Sequence, residues 1–170
     1  RRTQALSLDA SQSILQAMES SRERELRLQA ETFAESPTLK AAVDTYVTES
    51  SMAGDASLSE LLATVQRELD KLLKRVDVDV VVLEDVNGRT LGSAGRLQAS
   101  WVSSTGRSHR YDSSGTDGDQ LFRAGNTLFR IVCIPLTLED GAVVGWLDLG
   151  TALDRQYAVA LDQVSKRRTA

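Results

Sequence analysis

Apolar positions in the first third of the chain recur at helical spacing. No Gly or Pro interrupts Ala5 to Glu35, and Leu8, Leu15, Met18, Leu26 and Phe33 form a thin apolar stripe between charges such as Arg22-Glu23-Arg24-Glu25. Arg22 and Gln29 fall where a continuous seam would be apolar. A stripe this thin fits a long helix that packs on one side within its own subunit, or one that pairs with a copy of itself, and the pattern leaves both open. Ser36-Pro37 breaks and restarts the helix. Ser36 can cap free amide groups, and Pro37 suits a first helical position, where its missing N–H is not needed. Leu39, Ala42, Val43, Tyr46 and Val47 carry an apolar face on toward Ser50, and the small polar residues from Ser51 to Asp55 read as a loop. Ser57-Leu58-Ser59-Glu60 reads as a capping box. Leu61, Leu62, Val65, Leu69, Leu72, Leu73 and Val76 follow at helical spacing, which predicts a well-buried amphipathic helix ending near Arg75.

The period then changes to that of strands. Val78 to Leu83 is rich in β-branched residues and predicts a buried strand. Asp85-Val86-Asn87-Gly88 predicts a turn, because Asn-Gly tolerates positive φ, with Arg89 to Ser93 as the returning strand. Ala94 to Asp119 is irregular and rich in Ser and Gly; at that length it is a functional loop or holds short elements. Gln120 to Ala124 is expected to pair with Thr127 to Leu138 across Gly125-Asn126. After the turn at Glu139-Asp140-Gly141, Ala142 to Gly150 is the final strand and Asp154 to Lys166 a closing helix. The fold class is therefore α+β, with a mostly antiparallel sheet of about five strands whose helices cover one face.

With 170 residues the chain has the size of one domain, and 41% apolar with 26% charged residues is a globular composition. A net charge of -4 gives no general electrostatic attraction to nucleic acid. One Cys and one His allow no intrachain disulfide, no Cys-rich metal cluster and no two-histidine motif. The longest apolar runs, Val80 to Leu83 and Ile131 to Leu136, are far short of the ~20 residues of a membrane helix. The chain opens Arg1-Arg2-Thr3-Gln4 with neither an initiator Met nor an apolar stretch, as expected of a piece of a longer protein.

Few motifs carry chemistry. Asp112 to Asp119 superficially suggests a calcium loop, but it lacks carboxylates at alternate positions and the closing Glu about twelve residues from the start, so a solvated turn is expected. Cys133, between Val132 and Ile134, reads as a small buried thiol. No Gly-x-Ser-x-Gly elbow accompanies His109, and no Gly-Lys-Ser/Thr follows Gly92 to Gly95 or Gly115 to Gly118. No enzyme, metal or cofactor is expected.

Three stretches carry a family resemblance. They are the helix break at Glu35-Ser36-Pro37-Thr38-Leu39; the hairpin Asp79-Val80-Val81-Val82-Leu83-Glu84-Asp85-Val86-Asn87-Gly88-Arg89-Thr90-Leu91-Gly92; and Ile131-Val132-Cys133-Ile134-Pro135-Leu136 followed by Gly141-Ala142-Val143-Val144-Gly145-Trp146-Leu147-Asp148-Leu149-Gly150. In this order they resemble the extracytoplasmic Cache (PAS-like) sensor domains of bacterial receptors. The Tyr, Arg, Trp, Tyr order of the amino-acid-binding Cache pattern is not found. The resemblance implies one sensor domain over 1–170: a long N-terminal helix over 1–50, broken at Ser36-Pro37, a PAS-like core over 57–150, and a C-terminal helix over 151–170 leading to the membrane. It implies a periplasmic or extracellular placement in an inner-membrane protein with a histidine kinase, cyclase or chemoreceptor output, and a homodimer through the first helix.

In a PAS-like sheet the segment between the first hairpin and the meander folds over the concave face. This makes Trp101, Arg107, His109, Arg110, Tyr111, Arg123 and Arg130 the candidate ligand-binding residues. Aromatic surface with forked Arg donors fits a small organic ligand, anionic if the pocket is occupied at all, such as a carboxylate. Against this stands the reading that the Arg residues are solvent-facing alternates, which Arg123 and Arg130 fit by their period-two neighbours. The expected mechanism is a population shift in which ligand closure displaces the first helix against the last. The alternatives are a ligand-free dimerisation or structural module of a receptor, and a cytosolic PAS- or GAF-like cofactor-binding domain.

Overall fold

The computed structural model describes residues 2–50, 55–98, 120–155 and 157–159. Three helices lead: α1 (Arg2–Ala34), α2 (Pro37–Glu49) and α3 (Asp55–Leu73). Five strands come after them: β1 (Val80–Asp85), β2 (Thr90–Ala94), β3 (Gln120–Ala124), β4 (Thr127–Thr137) and β5 (Val143–Ala152). No described helix is long and apolar enough to cross a membrane.

The break between α1 and α2 follows from its local chemistry. The Ser36 hydroxyl accepts from the Leu39 amide at 3.4 Å, and Pro37 occupies the first helical position. Lys40 reaches back to Glu35 at 2.7 Å across the corner. The start of α3 differs from expectation. It begins at Asp55, so Ser57 and Glu60 lie inside its first turns rather than at its cap. Asp55 and Ala56 accept helical backbone, so the helix continues back through the supposed loop end.

The sheet has the order β2-β1-β5-β4-β3. Every neighbouring pair is antiparallel. The fold is thus α+β with a PAS-like five-stranded antiparallel sheet behind a long N-terminal helix. Strand β1 runs two residues past its expected end, because Glu84 and Asp85 pair with Trp146 and Gly145 despite their charge. Strand β5 extends to Ala152, since Thr151 and Ala152 pair with Arg130 and Phe129. Gly88 takes the positive φ of 77° that closes the β1–β2 turn, where the Asp85 carboxylate accepts the amides of Asn87 and Arg89 at 2.8 and 2.9 Å. Gly145 serves close approach: a Cβ there would lie 2.6 Å from the Glu84 carbonyl oxygen.

Alternation sorts the strands onto two faces. Val81, Leu83, Val132, Ile134, Leu136, Leu147 and Leu149 form one core with Leu39, Val43 and Tyr46 of α2 and Val65, Leu69 and Leu72 of α3. Ala30 and Ala34 of α1 belong to the same core, with Leu26 and Phe33 packed against it. On the opposite face Val80, Val82, Ala124, Phe129, Ile131 and Ala152 form a second, smaller cluster, joined by Leu97, Phe122 and Cys133.

Candidate functional site

Of the seven expected ligand residues, Arg123 and Arg130 are among the described residues. Trp101, Arg107, His109, Arg110 and Tyr111 lie outside them. Arg123 is exposed, and its Nε donates to the Gly125 carbonyl at 3.2 Å within the β3–β4 turn. Arg130 shares a face with Val132 and points to the helices, its side chain 20% exposed. The chain turns helical after β5, which occupies 151 and 152 of the expected closing segment: the Asp154 carboxylate accepts the Tyr157 amide at 3.1 Å, and the Ala158 amide donates to the Asp154 carbonyl at 3.1 Å. The rest of the expected closing helix, beyond residue 159, and the acidic stretch Asp112 to Asp119 lie outside the described residues.

Arg130 stands at the centre of a junction. Its Nη1 donates to the Tyr157 hydroxyl at 3.2 Å, and that hydroxyl donates to Glu19 Oε1 at 2.8 Å. A contact of 3.5 Å between Arg130 and Glu19 Oε2 closes the triangle. Burial and the Glu19 carboxylate hold the Tyr157 phenol above its ordinary pKa, so it stays protonated and donating. The triangle joins the leading helix, a central strand and the chain leaving the sheet. It borders a cavity of about 280 Å³ that Arg22, Asp77 and Thr151 also line, and Arg22 pairs with Asp77 across it.

A second clamp lies beside the first. Arg96, just after β2, forks between Asp154 at 2.9 Å and Asp79 at 2.6 Å. The other Asp79 oxygen accepts the Ala152 amide at 2.7 Å. Asp154 first, then Asp79, hold the guanidinium firmly charged. The end of β5 is therefore tied to α1, to β4 and to the β2 exit at once.

The opposite face carries a different set. Glu84 and Asp148 are 6% and 4% exposed on adjacent central strands. Asp148 stands across from Val82 on β1 and Cys133 on β4, and Glu84 across from Trp146. Burial, then Asp148 and Asp85, push the Glu84 carboxyl up to about 7. Burial pushes Asp148 up to about 6, partly offset by a hydrogen bond from the Cys133 thiol. The same burial, with Asp148 nearby, pushes the thiol far up, so Cys133 is an inert, protonated donor. Among the described residues no group of three His, Cys, Asp or Glu side chains is placed to hold a metal ion.

Sequence reasoning singled out neither the Glu19–Tyr157 junction nor this acid pair. Glu19 and Tyr157 are far apart in sequence, and no local pattern joins them. The acids left a signal: Glu84 ends the run Val80-Val81-Val82-Leu83, and Asp148 interrupts Trp146-Leu147-Leu149, each at a position where period two demands burial.

The fold matches that of the periplasmic domain of LuxQ from Vibrio cholerae. The TM-score is 0.62 over 92% of this chain and 70% of that one, with 13% of residues identical. At that identity the likeness is one of fold. No protein-family model matches the sequence, and no curated protein matches it.

Proposed function

We propose that this chain is the extracytoplasmic ligand-sensing domain of a bacterial membrane receptor, of the Cache type, with a histidine kinase, cyclase or chemoreceptor output. The observation that carries the reading is the junction of Glu19, Arg130 and Tyr157, which couples the leading helix to the chain's departure from the sheet. A ligand that binds one arrangement of the sheet better than another shifts the population, and this junction passes the change to both ends. The fold shared with the LuxQ periplasmic domain supports the same reading. Ile14 and Leu28 on α1, 52% and 64% exposed, support a homodimer through that helix. The ligand residues are held to include Trp101, Arg107, His109, Arg110 and Tyr111 over the face opposite the helices. The domain itself performs no catalysis.

The test is a thermal-shift screen of the 170-residue chain against small carboxylates and small amines. Ligand at about 100 times its Kd adds roughly 2.7 kcal/mol, a rise of several degrees in a domain of this size. A compound class that raises Tm is the expected result, and no response from any compound overturns the reading.

A further inference from the structure

The face of the sheet away from the helices is the part of the molecule least explained by folding. Its floor is apolar at Val80, Val82 and Ile131, yet two carboxylates are set into it on the two most central strands. The Asp148 carboxylate accepts from the Cys133 thiol, but its Oδ1 is buried with no hydrogen-bond partner among the described residues. A buried oxygen of this kind costs free energy unless something donates to it. Asp148 and Asp85 act on the Glu84 carboxyl, the neutral Cys133 thiol donates to Asp148, and Arg27 of α1 acts on that thiol. The described floor therefore holds two neighbouring carboxylates, one of them with an oxygen that no described residue serves.

We infer that Glu84, Asp148 and Trp146 form a binding site for an organic ammonium ion. This rests on the sensing reading and gives its ligand class. An ammonium group supplies the donor that Asp148 Oδ1 lacks and the positive charge that two neighbouring carboxylates need. Trp146, directly across from Glu84 in the β1–β5 register, places an indole, a group that attracts organic cations, on the same side of the sheet. The apolar floor at Val80 and Val82 accommodates the ligand's hydrocarbon part. A hard metal ion fits poorly, since it requires about six or more oxygen ligands, and the protonated thiol is no ligand. A carboxylate ligand, the class expected from the arginines of the sequence, would meet like charge on this floor.

The experiment titrates the folded chain with ethylammonium, putrescine and tetramethylammonium chlorides, with sodium chloride as the ionic control and acetate and succinate as the opposite class. Tm and calorimetric binding are read in parallel. An alkylammonium should raise Tm, Asp148→Asn and Glu84→Gln should each weaken its binding by roughly tenfold or more, and Glu139→Gln, an exposed acid, should leave it unchanged. If acetate or succinate binds and no ammonium does, this inference falls while the sensing reading stands. If nothing binds, both fall. If ammonium binds equally to Asp148→Asn and Glu84→Gln, the site lies elsewhere and the inference is overturned. Should one variant fail to fold, the other decides.

Discussion

On one face of the sheet, Leu83, Leu147 and Leu149 are fully buried against α2 and α3 in a continuous aliphatic core. On the other, the residues interleaved with them are Glu84, Trp146 and Asp148. The same two strands thus present a closed apolar surface to the helices and a buried acidic one away from them. Packing explains these leucines, since each removes apolar area from water, and Asp85 at the end of that face is satisfied by the amides of its turn. The second carries charge where an aliphatic side chain of similar volume would be as good or better for stability. A face built for packing and a face retained at some cost in stability, back to back, are what a domain needs if one side holds its shape while the other reads its surroundings.

Substitutions that break this contrast should differ in sign. Leu147→Ala removes a fully buried side chain from the helix face and should destabilise by about 2–5 kcal/mol in urea unfolding. Asp148→Asn, one position along on the opposite face, should stabilise the ligand-free chain by roughly 1–2 kcal/mol at pH 8. A loss of stability there would show that the acid is a structural necessity.

The pH dependence sharpens the same point. Glu84 and Asp148 bind protons more tightly folded than unfolded, with values of about 7 and about 6 against 4.5 and 3.8. The native state therefore holds more protons between those limits, and stability falls as pH rises through that window. Tm should be several degrees higher near pH 5 than near pH 8, and the double variant Glu84→Gln/Asp148→Asn should flatten the slope. A slope unchanged in that variant would place its origin in other groups.

Smaller effects belong to the junction on the helix side. Tyr157→Phe removes the hydroxyl between Arg130 and Glu19 and should cost about 0.5–1.5 kcal/mol, read best as faster amide hydrogen exchange at Tyr157 and Ala158. Arg123→Ala, whose exposed side chain meets the Gly125 carbonyl of its own turn, should change stability by less than about 0.5 kcal/mol.

The fold was largely legible because its signals are local. Ser36-Pro37 marks a corner by capping, Asp85 to Gly88 marks a turn by its backbone demands, and the residues from Leu61 to Leu72 mark a buried helix by period. Local signals also misled: Ser57 and Glu60 have capping chemistry but sit inside α3, because nothing at Asp55 or Ala56 stops the helix. The candidate site was less legible because it depends on which strands become neighbours. Cys133 and Asp148 meet only through the β4–β5 pairing, and Glu84 and Trp146 only through β1–β5. Arg130 was singled out for its charge. What the chain could not announce is that its strand turns it toward α1, where Glu19 and Tyr157 receive it.

The central claim is that events on the acidic face reach both ends of the chain through the Glu19–Arg130–Tyr157 junction. Spin labels at Arg24→Cys on α1 and Val159→Cys after β5, with the inert Cys133 left in place, measure the distance between those ends. Saturation with the alkylammonium that binds should shift the distance distribution in the otherwise native chain. In Glu19→Gln/Tyr157→Phe the ligand should still bind but leave the distribution unmoved. Identical distributions with and without bound ligand in the native background would contradict the account.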